Sequence, residues 1–123
     1  MVENGDLRAR TKQFALRVIK LVDALPNSLA GRKIGDQLVR AGTAVGANYR
    51  AACRGRSKRE FVAKIGIVEE EADENAYWME LIMEAKLLKS SCVMPLHDEA
   101  EQIRHIMAKS RITAAQSPRA AGT

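Results

Sequence analysis

Two apolar repeats with a sharp stop between them constrain this 123-residue chain more than any other feature. Over about 34–52 and again over 61–86, apolar residues recur at alternating steps of four and three, the spacing of one helix face. Gly55 stands just past the first run, where a helix commonly ends in a left-handed residue. Ser57 and Glu60 then form the Ser-x-x-Glu pattern of a capping box, which begins a helix. The two runs therefore predict a pair of antiparallel helices.

Two further helices complete the predicted fold, and the three prolines, Pro26, Pro95 and Pro118, are all interpreted as boundaries. The four helices are expected over about 7–25, 29 or 33 to 54, 57–89 and 96–115. Because short connections favour antiparallel neighbours, the sequence predicts an all-α, up-down-up-down antiparallel four-helix bundle. We expect a single domain over residues 7–115, and residues 116–123 are expected to be a disordered C-terminal tail.

Composition narrows the class of protein further. Apolar residues make up 46% of the chain and aromatics only 4%, which favours packed helices and argues against a disordered protein. No apolar run reaches the roughly 18 residues that span a membrane, and the polar start predicts no signal peptide. Cys53 and Cys92 are expected as free thiols at opposite ends of the bundle, too far apart for a disulfide. These features together predict a cytoplasmic protein.

Three glycines, Gly35, Gly42 and Gly46, follow one flank of the second helix. Each costs a helix about 0.5–1 kcal/mol relative to alanine, so another backbone is expected to lie close to that flank. Two interpretations remain open at this stage. The flank packs on a neighbouring helix of the same chain, or it forms a contact between subunits.

A strongly basic segment lies between residues 50 and 64, where six lysines and arginines accompany a single acid, Glu60. Arg54 suits the negative end of the second helix, but Lys58 and Arg59 lie at the positive end of the third, where cations are mildly unfavourable. A polyanion would account for them, and a solvated bundle end is the alternative. Because few aromatics lie nearby, binding would involve the phosphate backbone with weak sequence specificity. The candidate nucleic-acid-binding residues are Arg50, Arg54, Arg56, Lys58, Arg59 and Lys64.

The third helix also carries an acidic run with like charges at i and i+4, which repel each other. Folding the second and third helices against each other places Arg40 opposite residues 72–73 and Lys33 opposite residues 79–80. We therefore expect both to pair with these acids, and Lys109 and Arg111 to serve residues 71 or 74. The acids are Glu69, Glu70, Glu71, Asp73, Glu74, Glu80 and Glu84.

No constellation in the sequence predicts catalysis or a cofactor. A carboxylate-bridged metal site in a bundle uses Glu-x-x-His pairs, which this chain lacks. His97, Glu101 and His105 share one helix face, but a third strong ligand for zinc is not evident, so a polar surface stripe is expected. Cys53 has arginines near it and no evident histidine to act as a base. The sequence therefore predicts a non-enzyme without metal or cofactor.

Several short motifs suggest a family. They are Gln37-Leu38, Arg40-Ala41, Asn48-Tyr49-Arg50, Ser57-Lys58-x-Glu60-Phe61-x-x-Lys64 and Glu70-Glu71-Ala72. In this pattern the chain resembles the small bacterial four-helix-bundle proteins of the ribosomal-RNA intervening-sequence type. The resemblance covers about residues 7–90. It departs at Ala51, where many relatives have Glu, so a role that depends on that acid does not carry over.

The resemblance implies a four-helix protomer in a homopentamer, as in the related accessory proteins of retroelement reverse transcriptases, which bind nucleic acid and the polymerase. The function expected from it is a non-catalytic RNA-binding accessory protein that acts through the basic cluster in a homo-oligomer. The expected partners are RNA or DNA and a reverse transcriptase or other protein. The alternative is a protein-interaction or scaffold module with no nucleic-acid binding.

Overall fold

A computed structural model describes residues 2–117, with side chains from residue 6 onward. Its helices are α1 (Val2–Asp23), α2 (Leu29–Cys53), α3 (Lys58–Glu84) and α4 (Ser90–Gln116). Each helix packs on the next along the chain, and a sparser contact between α1 and α4 closes the ring. No strand occurs within residues 2–117. The predicted all-α four-helix bundle is therefore confirmed.

The core forms where the repeats of α2 and α3 face each other. In α2 the side chains of Leu38, Ala41 and Val45 are fully buried, and Ala52 is nearly so. The middle of the face of α3 that was predicted to be apolar is also inaccessible to solvent, whereas Phe61 at its start is partly buried and Lys86 at its end is exposed. The inaccessible residues are Ile65, Val68, Ala72, Asn75, Met79 and Ile82. Alternating steps of four and three residues thus bury one stripe of each helix, because that spacing keeps side chains on one face.

The connection between α2 and α3 follows the predicted capping pattern with one change. Ser57 Oγ accepts a hydrogen bond from the Glu60 N–H at 3.1 Å, while the Glu60 carboxylate accepts the N–H of Arg56, one residue before the cap, at 2.9 Å. The prediction for Gly55 is wrong, because its φ lies outside the left-handed range. A Cβ there would lie 3.0 Å from the carbonyl oxygen of Ala52, so glycine provides space rather than conformational freedom.

The end of α3 lies five residues before the predicted end at residue 89. Lys86 adopts a left-handed conformation with φ 59°, the position that glycine usually takes after a helix. Its N–H donates to the Met83 carbonyl at 3.1 Å, and the Leu87 N–H donates to the Ile82 carbonyl at 2.9 Å. These two bonds form a Schellman motif. With lysine in place of glycine, the sequence carried no evident stop signal.

Pro95 does not mark the start of α4 as predicted, because the helix begins at Ser90 and includes it. Pro95 is the sixth residue of α4, so its ring removes the hydrogen bond that the Ser91 carbonyl would otherwise accept. Both residues are exposed, and water can bind the freed oxygen. Pro26 lies in the α1–α2 connection as expected. Of the predicted tail, Gln116 belongs to α4, Ser117 is its C-cap, and residues 118–123 lie outside the described residues.

The glycine flank of α2 packs against α1 within the same chain. A Cβ built on Gly42 would lie 2.7 Å from Cγ1 of Val18, and one on Gly46 would lie 3.3 Å from Oγ1 of Thr11. Gly35 faces α1 in the same way. The first interpretation of this flank, packing inside the protomer, is confirmed, because a side chain at Gly42 would push α1 away.

Two further predictions concern the whole chain. None of the four helices, over the residues that the structure describes, has the length and apolarity needed to cross a membrane. Cys53 is half-buried and Cys92 is exposed, and both are free thiols, as expected.

Candidate nucleic-acid interface

The turn between α2 and α3 places the predicted basic residues at one end of the bundle. Arg50 lies in the last turn of α2, Arg54 is its C-cap, and Lys58 begins α3. The helical repeat then directs these side chains toward different neighbours. The six predicted residues therefore surround the bundle end and do not form a single flat patch.

Three of the six side chains carry an uncompensated charge. Arg50, Arg54 and Arg59 are exposed, and no carboxylate of residues 6–117 lies within ion-pair distance of them. Arg54 gains from the negative end of α2, whereas Arg59 is the second residue of α3, where the helix dipole disfavours a cation. These three arginines are the part of the predicted site that the fold leaves available to a ligand.

Arg56 and Lys58 have polar contacts inside the chain, whereas Lys64 acts on Glu60 only through its charge. Arg56 Nη2 lies 3.2 Å from a carboxylate oxygen of Glu60, although the Arg56 side chain is 88% exposed. Hydrogen bonds from the Arg56 backbone and then its side chain hold the pKa of Glu60 below its usual value, and the nearby charge of Lys64 adds to this. Lys58 Nζ donates to the Ser117 carbonyl at 2.8 Å, at the C-terminal end of α4.

The contact made by Lys58 corrects one argument from the sequence. A lysine at the start of α3 is disfavoured by that helix, which pointed to an external polyanion. The structure supplies an internal partner, because the carbonyl-rich end of α4 favours a cation at the same place. Only Arg59 still lacks an explanation of this kind among the described residues.

An open groove between α1 and α2 extends the basic surface beyond the predicted residues. The groove has a volume of about 660 Å³, and Arg50 shares its wall with Arg8 and Lys12 of α1. No acidic residue lines it, and the other lining residues are small or uncharged: Ala9, Thr11, Ala15, Thr43, Gly46 and Ala47. Sequence reasoning missed Arg8 and Lys12. Their i, i+4 spacing, together with the antiparallel placement of α1 on α2, was the signal that could have found them.

The acidic face of α3, in contrast, is paired in part, at Glu69, Glu71 and Glu74. Arg40 forms ion pairs with Glu74 and, at 3.4 Å, with Glu71, which confirms its predicted role. Burial opposes ionisation of Glu74, but hydrogen bonds from Trp78 and Arg40 outweigh it and lower the pKa of that carboxyl. The same contacts raise the pKa of Arg40.

The partners expected for the other acids are partly different. Arg111 pairs with Glu69 at 2.7 Å rather than with residues 71 or 74, and the hydrogen bond raises the pKa of Arg111. The prediction for Lys33 is wrong, because no acid among residues 6–117 lies within ion-pair distance of it, and Lys109 likewise has none there. Arg10 with Glu99 and Arg104 with Glu101 also form ion pairs, both at 2.7 Å, and neither pair was predicted.

The polar stripe of α4, formed by His97, Glu101 and His105, does not act as one group. His97 and His105 are eight residues apart, about 12 Å along the helix, so they cannot share one ion with Glu101. His105 is exposed. Glu80 of α3 approaches His97 instead, with 2.9 Å between a carboxylate oxygen and Nε2.

These features define a class of protein: a small all-α four-helix bundle with a partly paired acidic face and exposed, unpaired arginines at its basic end. Residues 3–109 match the family described as the 23S rRNA-intervening sequence protein, and the chain belongs to this family. It is not a known enzyme family.

One solved structure is similar over most of both chains. It is described as a protein with unknown function from the S23 ribosomal protein family of Bacteroides thetaiotaomicron. Its sequence is 26% identical, the match covers 85% of this chain and 96% of that one, and the TM-score is 0.77. Among curated proteins, none matches this chain significantly.

Proposed function

We propose that this protein is a non-catalytic accessory protein that binds the phosphate backbone of RNA through its basic bundle end. The observation that carries the proposal is a group of exposed cations, around the α2–α3 turn and the adjoining groove, that have no acidic partner within ion-pair distance among the described side chains. This group comprises Arg50, Arg54 and Arg59 at the bundle end and Arg8 and Lys12 in the adjoining groove. Five such charges in one region attract a polyanion and have no internal carboxylate to compete with it.

The choice of RNA as the ligand rests on two supports. The family name refers to an intervening sequence of 23S rRNA. The groove also contains no aromatic residue, so it offers charge and small polar groups but no stacking platform for bases. Recognition of backbone and shape is the mode that such a surface favours.

A homo-oligomer would amplify this binding, and we propose a pentamer on the basis of the family resemblance. Each phosphate contact contributes a slope in log affinity against log salt of about −0.7 for a single strand and about −0.9 for a duplex. Five contacts on one protomer would give about −3.5 to −4.5, and a ring would add the contacts of its other protomers where the RNA reaches them. Light scattering of the full chain measures the mass directly. A monomeric mass would contradict the pentamer but would leave the proposal that the basic end binds RNA unaffected.

A charge-matched pair of triple variants tests the proposal. The first variant, Arg50→Gln with Arg54→Gln and Arg59→Gln, removes the uncompensated arginines. The second, Lys20→Gln with Lys33→Gln and Lys89→Gln, removes three exposed charges far from the α2–α3 turn. We expect the first to weaken binding of a fluorescent RNA hairpin at least about tenfold at low salt and to flatten the salt slope by about 2. We expect the second to leave the slope unchanged.

Equal losses from both triples would mean that net charge alone attracts RNA and would contradict a localised interface. An unchanged affinity in the first triple would remove the RNA-binding proposal altogether. Circular dichroism of both variants checks that the helices persist, since Arg54 is also the C-cap of α2.

A scaffold module without nucleic-acid binding is the second candidate function. The observation that favours it is the exposure of large apolar side chains on α1 and at the start of α2. Leu16 is 51% exposed, Ile19 is 40% exposed and Leu29 is 65% exposed. Replacing Leu16 and Ile19 with Gln would then reduce the mass measured by light scattering, while binding of the RNA hairpin would be undetectable in the unmodified protein.

A further inference from the structure

A three-residue cluster of metal-ligand type joins α3 to α4 near the end of the bundle opposite the basic surface. Glu80 comes from α3, and His97 and Glu101 come from successive turns of α4. One donor atom from each residue lies within 4.8 Å of the donor atoms of the other two. The i, i+4 spacing places both α4 ligands on one face, and the pairing of α3 with α4 brings Glu80 to them.

The state of the His97 ring points to a missing ligand. Nε2 lies 2.9 Å from a Glu80 oxygen, so the hydrogen bond between them requires a proton on Nε2 in the neutral ring. Nδ1 is then an acceptor, yet it is buried and has no hydrogen-bond partner. A buried acceptor without a donor is costly.

A cation bound to Nε2 would resolve this arrangement. Coordination through Nε2 moves the proton of the neutral ring to Nδ1, which becomes a donor. The nearest carboxylate oxygen to Nδ1 is Oδ1 of Asp98, 4.0 Å away, and a small rotation would close that contact. Histidine ligands commonly donate their second N–H to a carboxylate in this way.

Each of the two carboxylates retains an oxygen atom that can coordinate an ion. Both hydrogen bonds from Arg104 reach the same oxygen of Glu101, Oε1, at 3.1 and 2.7 Å, and leave Oε2 for another partner. Glu80 uses only Oε2 toward His97. The side chains of Glu80 and Glu101 are 46% and 37% exposed, so they can rotate to the separation of about 3.4 Å that tetrahedral bonds of about 2.1 Å require.

We propose that Glu80, His97 and Glu101 bind one divalent transition-metal ion, with Zn²⁺ as the best match, and that the ion ties α3 to α4. An imidazole with two carboxylates suits Zn²⁺ better than Mg²⁺ or Ca²⁺, which prefer oxygen donors alone. Two carboxylates and a neutral imidazole also balance the charge of the ion. Water occupies the fourth position, because three protein ligands leave it open. The site lies far from the RNA-binding surface, so the two proposals fail independently.

Calorimetric titration of the tag-free full chain with ZnCl2 at pH 7.5, after treatment with a chelator, tests this site. We expect one Zn²⁺ per protomer and a higher thermal midpoint in its presence, because the ion binds the folded state. His97→Ala and Glu80→Gln should each weaken binding by about tenfold or more. Glu80→Gln keeps the size and a hydrogen-bonding group at the helix contact, so it serves if His97→Ala does not fold.

Two control variants separate this site from general surface binding. His105→Ala removes an exposed imidazole from the same helix, and Cys92→Ser removes an exposed thiol near the start of α4. Both should bind Zn²⁺ as the unmodified chain does. The proposal is overturned if the unmodified chain takes up no Zn²⁺, if either control loses as much affinity as Glu80→Gln, or if Glu80→Gln stays within twofold.

Discussion

The α1–α2 hairpin and the α3–α4 hairpin join their helices by different means. Between α1 and α2, glycines bring the backbones so close that a Cβ at Gly42 would collide with Val18. Between α3 and α4, polar pairs cross the helix contact, such as Arg111 with Glu69. The first hairpin leaves Arg8, Lys12 and Arg50 at a groove without acids, while the second pairs part of its charge between its own helices. In this bundle, the hairpin whose helices approach each other at glycines is also the one with charge available for a ligand.

The close approach of α1 and α2 is tested most directly at Gly42. Gly42→Leu should destabilise the protein by about 3 kcal/mol, because a side chain at a closely packed site forces α1 outward. Urea denaturation followed by circular dichroism measures the change. The matched control is Gly66→Ala in α3, where a Cβ would meet only Cδ of Arg111 at 3.8 Å. That change should raise stability by about 0.5–1 kcal/mol through helix propensity. A Gly42→Leu protein of unchanged stability would show that the α1–α2 contact is looser than described.

The proposed role of the α1–α2 groove in RNA binding is tested at its α1 cations. Arg8→Gln with Lys12→Gln should weaken binding of the RNA hairpin about tenfold at low salt and reduce the salt slope by about 1.4, as two phosphate contacts are lost. Fluorescence anisotropy over a salt series measures both quantities. Arg17→Gln with Lys20→Gln on the same helix, outside the groove, is the control and should keep the slope. If the control pair weakens binding and reduces the slope equally, RNA binding is not localised to the groove.

The α3–α4 hairpin contains a strained residue that can be relieved. Lys86→Gly should stabilise the protein by about 1 kcal/mol, because glycine adopts the left-handed conformation without the steric cost that lysine bears. The measurement is again urea denaturation, and Lys89→Gly, beside the same turn but with φ −66°, should give no such gain. An equal gain from both changes would mean that loop flexibility, and not φ, determines the result.

The smallest expected effect concerns the pairing of Glu74. Its pKa is lower in the folded protein than the ordinary 4.5, so the pairing with Arg40 and Trp78 contributes stability above that pH. This contribution disappears as the pH falls through the lowered pKa, since protonation of the carboxylate then favours the unfolded chain. We expect this contribution to the free energy of unfolding to be below about 1 kcal/mol, because Arg40 is half exposed.

A pH series of urea denaturation measures this contribution for the unmodified protein and for Glu74→Gln. The difference between them should shrink toward acid pH. If the difference stays constant from neutral to acid pH, the effect of Glu74→Gln on stability comes from packing rather than from charge.

The sequence predicted the bundle because its strongest signals are local. The capping box at Ser57 and the apolar repeats of α2 and α3 depend only on neighbouring residues, and the structure follows them closely. The end of α3 was missed because lysine stands at a position where glycine is usual. That error also shifted the expected pairing of α3 with α4, so the approach of Glu80 to His97 could not be anticipated.

The candidate interface was predicted only in part for a related reason. Clustered charge is visible in a sequence, but its partners are set by contacts between distant segments. Lys58 could not be matched with Ser117 without knowing where α4 ends. Arg8 and Lys12 joined the surface only once α1 was placed on α2.

Four antiparallel helices return the chain to the side on which it started. The first turn of α1 and Ser117 after α4 therefore both lie at the end of the bundle that carries Arg54 and Arg59. Any polypeptide joined to the start of α1 or directly after Ser117 would therefore emerge beside that surface. An affinity tag could shield the arginines or, if acidic, neutralise them, and a fused enzyme would be held within reach of a bound RNA. Insertion into the α3–α4 turn, around Lys86, is the route that keeps added sequence at the opposite end.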